Sequence, residues 1–218
     1  MNPLKTFVTL VFCLFAVQQM VFSQAVEADT IPSKEEITAY QIETARAHRS
    51  AGDQFYTDEL YTEAIEEYSK AIDINPYDRI AWYNRALSRH KLEDVPGAIA
   101  DLNRILALES GFVSAYFLRG SYYYDLEDYR RSKIDFTSII SVRPNSALSY
   151  RKRGTVRFQM KDRSGALKDY SESIRLNPKD PIAYHDRAVT RQYLGDKKGA
   201  KDDEKKVKEL EALMNENN

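Results

Sequence analysis

Apolar and small residues along this chain return with a fixed spacing of 34 residues. The block WYNRALSRHKLEDVPGAIADL begins at Trp82, and similar blocks begin at Tyr116, Tyr150 and Tyr184. A fifth and less similar block begins at His48, one period upstream. A repeat of this length predicts a stack of similar supersecondary units. In such a stack we expect function on an extended surface rather than in one deep pocket.

Within one period, residues 79–112, the pattern is that of two helices. Key positions from Trp82 to Arg89 recur every three to four residues, which is helical spacing. The pattern then breaks, and Asp94 can cap a second helix whose first turn tolerates Pro96. Each repeat is therefore predicted to be a helix, a short turn and an antiparallel helix.

Small residues recur at two positions of the repeat, where they would let the paired helices approach closely. One set is Gly52, Ala86, Gly120, Gly154 and Ala188, and the other is Ala64, Ala98, Ser132, Ala166 and Ala200. Bulky residues recur beside them: Trp82, Tyr116, Tyr150 and Tyr184 in the first helix, and Tyr68, Leu102, Phe136 and Tyr170 in the second. Prolines at Pro76, Pro144 and Pro178 are predicted to end second helices.

These residues resemble the tetratricopeptide repeat family in their order of aromatic, small, aromatic and proline positions. The resemblance implies an all-α, right-handed α-solenoid of about five 34-residue helix-turn-helix repeats. The repeats are placed at residues 45–78, 79–112, 113–146, 147–180 and 181–214, within a solenoid spanning 33–214. In the last repeat Glu204, Lys208 and Ala212 replace the expected residues, which favours a polar C-terminal capping helix. Residues 215–218 are expected to fray.

The N-terminus is a separate segment. Lys5 precedes an apolar run from Phe7 to Val17, and residues 21–23 fit a cleavage site. We expect residues 1–23 to be a signal peptide cleaved after Ser23, with a flexible leader at 24–32 and an exported, periplasmic or extracellular protein. An uncleaved signal anchor is the alternative, disfavoured because the apolar run is short for a bilayer needing ~20 residues. No membrane insertion is expected after cleavage. Ser33 and Glu36 fit a capping box and predict a helix beginning there.

One charge pattern repeats in the same frame. Arg85, Arg119, Arg153 and Arg187 are each followed 16 residues later by an acid: Asp101, Asp135, Asp169 and Asp203. We predict structural ion pairs between the two helices of each hairpin, because the guanidinium fork suits a two-point bond to a carboxylate. Arg89, Arg157 and Arg191 lie one turn further on, as additional polar packing or as a basic stripe for anions.

The residue types that catalyse reactions or bind metals do not form a recognisable site in the sequence. His48, His90 and His185 belong to different repeats, and no metal-ligand spacing or nucleophile motif occurs, so we predict neither catalytic residues, nor metal, nor cofactor. The chain has 32 basic and 33 acidic residues, which gives no drive toward nucleic acid. The sequence therefore indicates a non-enzymatic protein that does not bind nucleic acid.

The resemblance implies that the first helices line a concave groove that binds a protein or peptide ligand. The groove residues carried over are Arg49, Tyr56, Tyr83, Leu87, His90, Phe117, Tyr124, Arg151, Phe158, His185 and Tyr193, with Asp53, Ser121, Asp125, Thr155 and Gln159 among their neighbours. Aromatic residues at these positions would make an apolar stripe, and such exposed patches mark interaction sites. Alternatively, some of the rings pack against neighbouring hairpins or the leader covers the groove.

Some members of this family grip the acidic C-terminus of heat-shock chaperones with a set of Lys, Asn and Arg residues. Asp53 stands where the first Asn is required, and Ser114 and Leu118 replace the later basic residues. The resemblance therefore does not imply binding of a terminal carboxylate by this route.

Three functions follow from these observations. The first is a protein-binding scaffold or adaptor in the cell envelope or secretory compartment. The alternative is a chaperone-like assembly factor that holds client proteins transiently. A structural subunit that associates with itself remains a third interpretation, and the sequence does not separate the three.

Overall fold

The computed structural model describes residues 33–216, and this part of the chain contains ten helices and no strand. The predicted signal peptide and leader, and residues 217–218, lie outside the described residues. The helices are α1 (Ala39–Thr57), α2 (Tyr61–Ile74), α3 (Arg79–Lys91), α4 (Val95–Leu108), α5 (Val113–Asp125), α6 (Tyr129–Val142), α7 (Ala147–Gln159), α8 (Arg163–Leu176), α9 (Pro181–Tyr193) and α10 (Lys197–Glu216).

The ten helices form five hairpins, α1–α2 to α9–α10, and each helix packs on the next one along the chain. First helices of neighbouring repeats also meet directly, as α1 with α3 and α7 with α9. This order confirms the all-α solenoid predicted from the repeat. The last helix, α10, continues to Glu216, so residues 215 and 216 are helical rather than frayed.

The turn inside each hairpin is built in the same way five times. The turn residues Glu59, Glu93, Glu127, Lys161 and Gly195 all have positive φ. In each turn the following N–H bonds to the carbonyl five residues earlier, as Asp94 does to Arg89. This is a Schellman-type helix ending, for which glycine is the unstrained choice. Four of the five turns nevertheless use Glu or Lys.

Aspartates begin the second helices. Their side chains accept a hydrogen bond from the backbone N–H three residues on, which satisfies a donor that the helix leaves free. The capping residues are Asp94, Asp128, Asp162 and Asp196. Only the cap at Asp94 was predicted from sequence. Leu60 stands at this position before α2 and makes no side-chain cap.

The first helix begins later than predicted. Residues 34–36 form a turn, and the Glu36 carboxylate accepts from the Ser33 N–H without starting a helix. The helix begins at Ala39, where Thr38 and Gln41 form the capping box with both reciprocal bonds. The prediction at Ser33 was wrong because a second capping pair, five residues on, starts the helix instead. Ile37, between the two, is buried.

The small residue on each first helix is matched to the second-helix side chain that faces it. A Cβ built on Gly154 would lie 2.8 Å from Cε1 of Tyr170, and one on Gly52 would lie 2.6 Å from Cε1 of Tyr68. In repeat 2, where Leu102 takes the place of the tyrosine, Ala86 is accommodated and fully buried. The size of the second-helix side chain therefore determines whether the facing position of the first helix is glycine or alanine.

We expect Gly154→Ala to lower the free energy of unfolding by about 1–2 kcal/mol, because crowding of the Tyr170 ring outweighs alanine's ~1 kcal/mol advantage in helix propensity. Chemical denaturation measures the change. The double variant Gly154→Ala/Tyr170→Leu reproduces the Ala86–Leu102 pair and should tolerate the alanine at no cost. An equal loss from Gly154→Ala in both backgrounds would contradict the matching.

Candidate binding surface

One face of the first helices bears the residues predicted to line the groove. On α3, Ile80, Tyr83, Leu87 and His90 are spaced by three and four residues, so they lie along one side of the helix. Equivalent positions on α1, α5, α7 and α9 continue this surface from repeat to repeat. We call this surface the groove face.

The aromatic residues of the groove face are mostly engaged with other rings. The ring centroids lie 5.4 Å apart for Tyr56 with Tyr61, 6.2 Å for Tyr83 with Phe112, 5.8 Å for Phe117 with Phe136, 5.6 Å for Tyr124 with Tyr129 and 5.4 Å for Phe158 with Tyr193. Of the six predicted rings only Tyr193 is mostly exposed, at 68%. The predicted apolar stripe is thus a set of aromatic pairs. In several pairs one of the two residues lies outside the first helices.

Exposed aliphatic residues on the groove face were missed from the sequence. Ile80, Leu148 and Ile182 occupy the same repeat position in the first turn of α3, α7 and α9, and their exposed fractions are 50%, 44% and 52%. The sequence could have predicted them, because an apolar side chain recurs at this one repeat position. They add an apolar row at the N-terminal ends of these three first helices.

The predicted groove arginines already have carboxylate partners. Arg49 donates to Asp78 at 2.6 Å, and Arg151 lies 3.1 Å from Asp180. Both partners are the N-cap residues of the next first helix, so these pairs join consecutive repeats. Arg49 and Arg151 therefore stabilise the packing of consecutive repeats, and their charges are not free to bind a ligand.

The predicted groove histidines have different surroundings. The His90 ring stacks on Tyr122, with centroids 4.2 Å apart and planes inclined by 7°. Tyr122 is buried, its hydroxyl has no hydrogen-bond partner in the described structure, and burial raises its pKa. His185 is exposed and lies 3.6 Å from Asp186. Burial raises the pKa of Asp186, which the nearby Arg151 partly offsets.

Asp53 is occupied by contacts within the protein. Its carboxylate accepts from the Tyr68 hydroxyl at 2.8 Å and from the Asn84 amide at 2.7 Å. The desolvated Tyr68 hydroxyl, bonded to this carboxylate, has a raised pKa. An acid bonded in this way makes this part of the groove face unsuited to a second carboxylate.

A small cavity opens on the groove face between α5 and α7. Its volume is about 130 Å³, and it is lined by Ser121, Tyr124, Asp125, Phe136, Lys152, Thr155 and Val156. Phe136 and Val156 are each 1% exposed and form its apolar side. The sequence placed Ser121, Tyr124, Asp125 and Thr155 in the groove but gave no indication of Phe136, Lys152 and Val156. A cavity with an apolar wall and polar groups around it suits one side chain of a bound segment.

Beyond this cavity, Arg163 at the start of α8 lies against two aromatic rings. Its guanidinium carbon lies 3.7 Å from the Phe158 ring centroid and 4.9 Å from that of Tyr193. No carboxylate in the described part of the chain pairs with it, and its Nη1 is buried without a hydrogen-bond partner. Arg163 was not predicted from the sequence, because the predicted groove positions all lie on first helices.

The predicted arginine–aspartate partners are brought together in all four repeats. Each arginine donates from Nε and Nη2 to the two carboxylate oxygens, at distances of 2.6–3.0 Å. Each guanidinium also lies over the aromatic ring three residues earlier, 4.7 Å from Trp82 and 5.5–5.6 Å from Tyr116, Tyr150 and Tyr184. The aspartates are at most 3% exposed. This arrangement is a two-point bond in a buried seam.

The third guanidinium nitrogen reaches the preceding repeat. Nη1 donates to a polar residue 16 positions earlier, which lies on the second helix of the repeat before. The acceptors are Ser69, Asn103, Thr137 and Ser171. Each arginine therefore joins three helices and fixes one repeat against the next as well as closing its own hairpin.

A second arginine supports the carboxylate in three of the four repeats. Arg89, Arg157 and Arg191 donate to Asp101, Asp169 and Asp203 at 2.8–2.9 Å and also to a backbone carbonyl of the second helix. These contacts assign them to internal packing, not to an anion stripe. In repeat 3 Tyr123 takes this position, and burial raises the pKa of Asp135 although Arg119 donates to it.

Metal and membrane features are absent from the described residues. Within residues 33–216 no group of three or more His, Cys, Asp or Glu side chains could hold a metal ion. No helix in this range combines the length and apolar character needed to cross a bilayer.

Family models match two parts of the chain. One described as "TPR repeat" covers residues 52–93, and one described as "Tetratricopeptide repeat" covers residues 113–146. Hsp70-Hsp90 organizing protein 3 of Arabidopsis thaliana is 34% identical over 77 residues, 35% of this chain and 14% of that protein. RNA polymerase II-associated protein 3 of Xenopus laevis is 29% identical over 99 residues, 45% of this chain and 15% of that protein. The chain thus spans about one seventh of the length of these relatives.

Solved structures share the fold over most of the chain. A crystal structure of MamA superposes with a TM-score of 0.72 at 22% identity, covering 78% of this chain and 93% of that one. Pseudomonas aeruginosa PilF superposes with a TM-score of 0.66 at 18% identity, covering 78% of each chain. At these identities the likeness concerns the fold. The two family matches, which fall on a chain of five helical hairpins, place it in the tetratricopeptide repeat family.

Proposed function

We propose that this protein is an exported, non-enzymatic scaffold or adaptor that binds a peptide segment of a partner protein along its groove face. The observation that carries the proposal is the row of exposed aliphatic residues, Ile80, Leu148 and Ile182, on the same face as the cavity and the aromatic pairs. Exposed apolar surface bordered by polar groups is typical of protein-binding sites. Export rests on the apolar N-terminal segment.

The relatives support an interaction role without naming a partner for this chain. Two of them are called an organizing protein and an associated protein. The chaperone-tail route is not proposed here, because Asp53 is bonded to Tyr68 and Asn84 where that route requires an asparagine. The four arginines that recur at one repeat position, Arg85, Arg119, Arg153 and Arg187, are called the ladder arginines, and each is bonded to its aspartate. We therefore propose no anion site at the ladder arginines.

The test is crosslinked capture with the full chain, carrying a C-terminal affinity tag, in the cells that produce it. The variant Ile80→Asp/Leu148→Asp/Ile182→Asp places acids in first turns of helices, where the helix dipole favours them, so the fold should persist. We expect this variant to lose at least tenfold in capture of a defined partner. The matched control is Ile134→Asp, a 59% exposed residue on α6, a second helix.

Capture of the same proteins by the parent and the groove variant would contradict the proposal. Capture of many unrelated proteins by the parent, reduced in the groove variant, would favour the chaperone-like alternative. Circular dichroism of each variant establishes that helix content is unchanged.

A further inference from the structure

We infer that repeats 3 to 5 carry a two-point recognition site for an extended segment with an aliphatic side chain and, about three residues away, an acidic one. This inference rests on the proposed function and names the chemistry of the segment. The aliphatic side chain would enter the cavity between α5 and α7, and the acid would pair with Arg163.

The cavity has the size and lining for one aliphatic side chain. An apolar cavity of ~150 Å³ holds a benzene molecule, so the observed 130 Å³ suits a group of the size of leucine or methionine. Phe136 and Val156 supply the apolar contact. Lys152 at the cavity can donate to the backbone of a bound segment. The Ser121 and Thr155 hydroxyls donate to carbonyls of their own helices, so they can serve a bound segment as acceptors.

The cavity exists because of the residues at one repeat position. Repeats 3 and 4 have Ser121 and Thr155 there, whereas repeats 2 and 5 have the bulkier Leu87 and Val189. Leucine at the equivalent position in repeat 2 shows that the repeat tolerates a side chain that would fill this space. The cavity is thus a local feature of repeats 3 and 4 rather than a general gap in the packing.

Arg163 is suited to an external carboxylate. The ladder arginines have carboxylate partners, and so do Arg49 and Arg151. The Arg163 guanidinium instead packs on Phe158 and Tyr193, and no carboxylate of residues 33–216 pairs with it. A guanidinium whose position is fixed by packing on two rings loses less freedom when a carboxylate binds it. The side chain is only partly buried, so a partner can reach its open edge.

The distance between the two points sets the motif. Thr155 at the cavity and Phe158 beside Arg163 are three residues apart on α7, which places their Cβ atoms about 5–6 Å apart. Contact with Phe158 puts the guanidinium further out, so the two points are separated by roughly 10 Å, or about three residues of extended chain at ~3.3 Å each. An aliphatic residue and an acid at this spacing would satisfy both points.

The experiment is a selection from a displayed library of random twelve-residue peptides on the purified full chain. Fluorescence anisotropy then measures the dissociation constants of an enriched peptide. We expect enriched peptides to carry Leu, Ile or Met two to four residues from Asp or Glu. Arg163→Gln should weaken binding about tenfold, the effect of one charge-assisted bond. Changing the peptide's acidic residue to its amide should weaken binding to the parent protein by the same factor. The same change should not weaken binding to Arg163→Gln any further.

Ser121→Leu should also weaken binding about tenfold, by filling the cavity with a residue that Leu87 shows to be tolerated. The control Lys197→Gln removes a positive charge at the repeat position equivalent to Arg163, and should change affinity less than twofold. A contrary result is that enriched peptides bind the Ile80→Asp/Leu148→Asp/Ile182→Asp variant more weakly than the parent, yet bind Arg163→Gln and Ser121→Leu as tightly as the parent. That result would overturn the two-point site and leave the groove proposal standing. If no peptide is enriched, both fail.

Discussion

Replacing Arg119 with leucine is expected to lower the free energy of unfolding by about 3–5 kcal/mol, the range for breaking a buried ion pair. Asp135 is 1% exposed, and Arg119 supplies both hydrogen bonds to its carboxylate. Because Tyr123 replaces the second arginine in this repeat, the variant would leave the carboxylate buried without a cationic partner. Urea denaturation of parent and variant at neutral pH measures the loss.

Repeat 2 provides the matched control. In Arg85→Leu the carboxylate of Asp101 keeps Arg89, which donates at 2.8 Å, so we expect a smaller loss than for Arg119→Leu. The double variant Arg119→Leu/Asp135→Leu should recover much of the loss, since two apolar side chains can replace a buried pair. Equal losses at Arg85 and Arg119, or additive losses in the double variant, would contradict this account of the ladder.

The same variant has a pH signature. Burial raises the pKa of Asp135 above its ordinary value of 3.8 even with Arg119 present, and loss of Arg119 should raise it further. The folded state then takes up a proton at a pH where the unfolded state does not. The stability of Arg119→Leu should therefore rise relative to the parent as pH falls from neutral toward 3.8, and a gap that widens instead would count against a buried carboxylate as the cause.

The repeat pattern was enough to predict the helical hairpins and the partners of the ladder arginines. Four chemically identical pairs at one spacing are a signal that a single hairpin would not give. The link from each arginine to the preceding repeat was missed, although it recurs at an equally constant spacing. Its acceptors Ser69, Asn103, Thr137 and Ser171 share only the ability to accept a hydrogen bond, so no residue type repeats.

The groove face was less predictable because side-chain contacts decide which residues are available. Arg49 and Arg151 look like ligand contacts in the sequence, but the next repeat brings an N-cap aspartate to each. Arg163 gives the opposite case. It lies on a second helix, and only folding brings it against Phe158 and Tyr193 from two different first helices. Contacts between repeats therefore set what the surface presents, and the period of the sequence does not report them.

Phe136→Ala is the second substitution for which we expect a loss of about 3–5 kcal/mol, the range for truncating a buried phenylalanine. Phe136 is 1% exposed and packs with Ile139 and Val156, and its ring lies against Gly120. Since a glycine cannot move into the space, the cavity left behind should collapse poorly. Ile134→Ala, on the same helix but 59% exposed, should change stability by less than ~0.5 kcal/mol.

The loss at Phe136 should also be local, because each repeat of a solenoid contacts only its neighbours. Amide hydrogen exchange should accelerate in α5 to α7, which meet around Phe136, while α1 and α2 keep most of their protection. Uniform acceleration from α1 to α10 would show instead that the five repeats unfold as one unit. The distinction bears on binding, since Phe136 also forms a wall of the cavity between α5 and α7. If exchange is local, Phe136→Ala should weaken peptides that use the cavity while the aliphatic row at Ile80 continues to contribute.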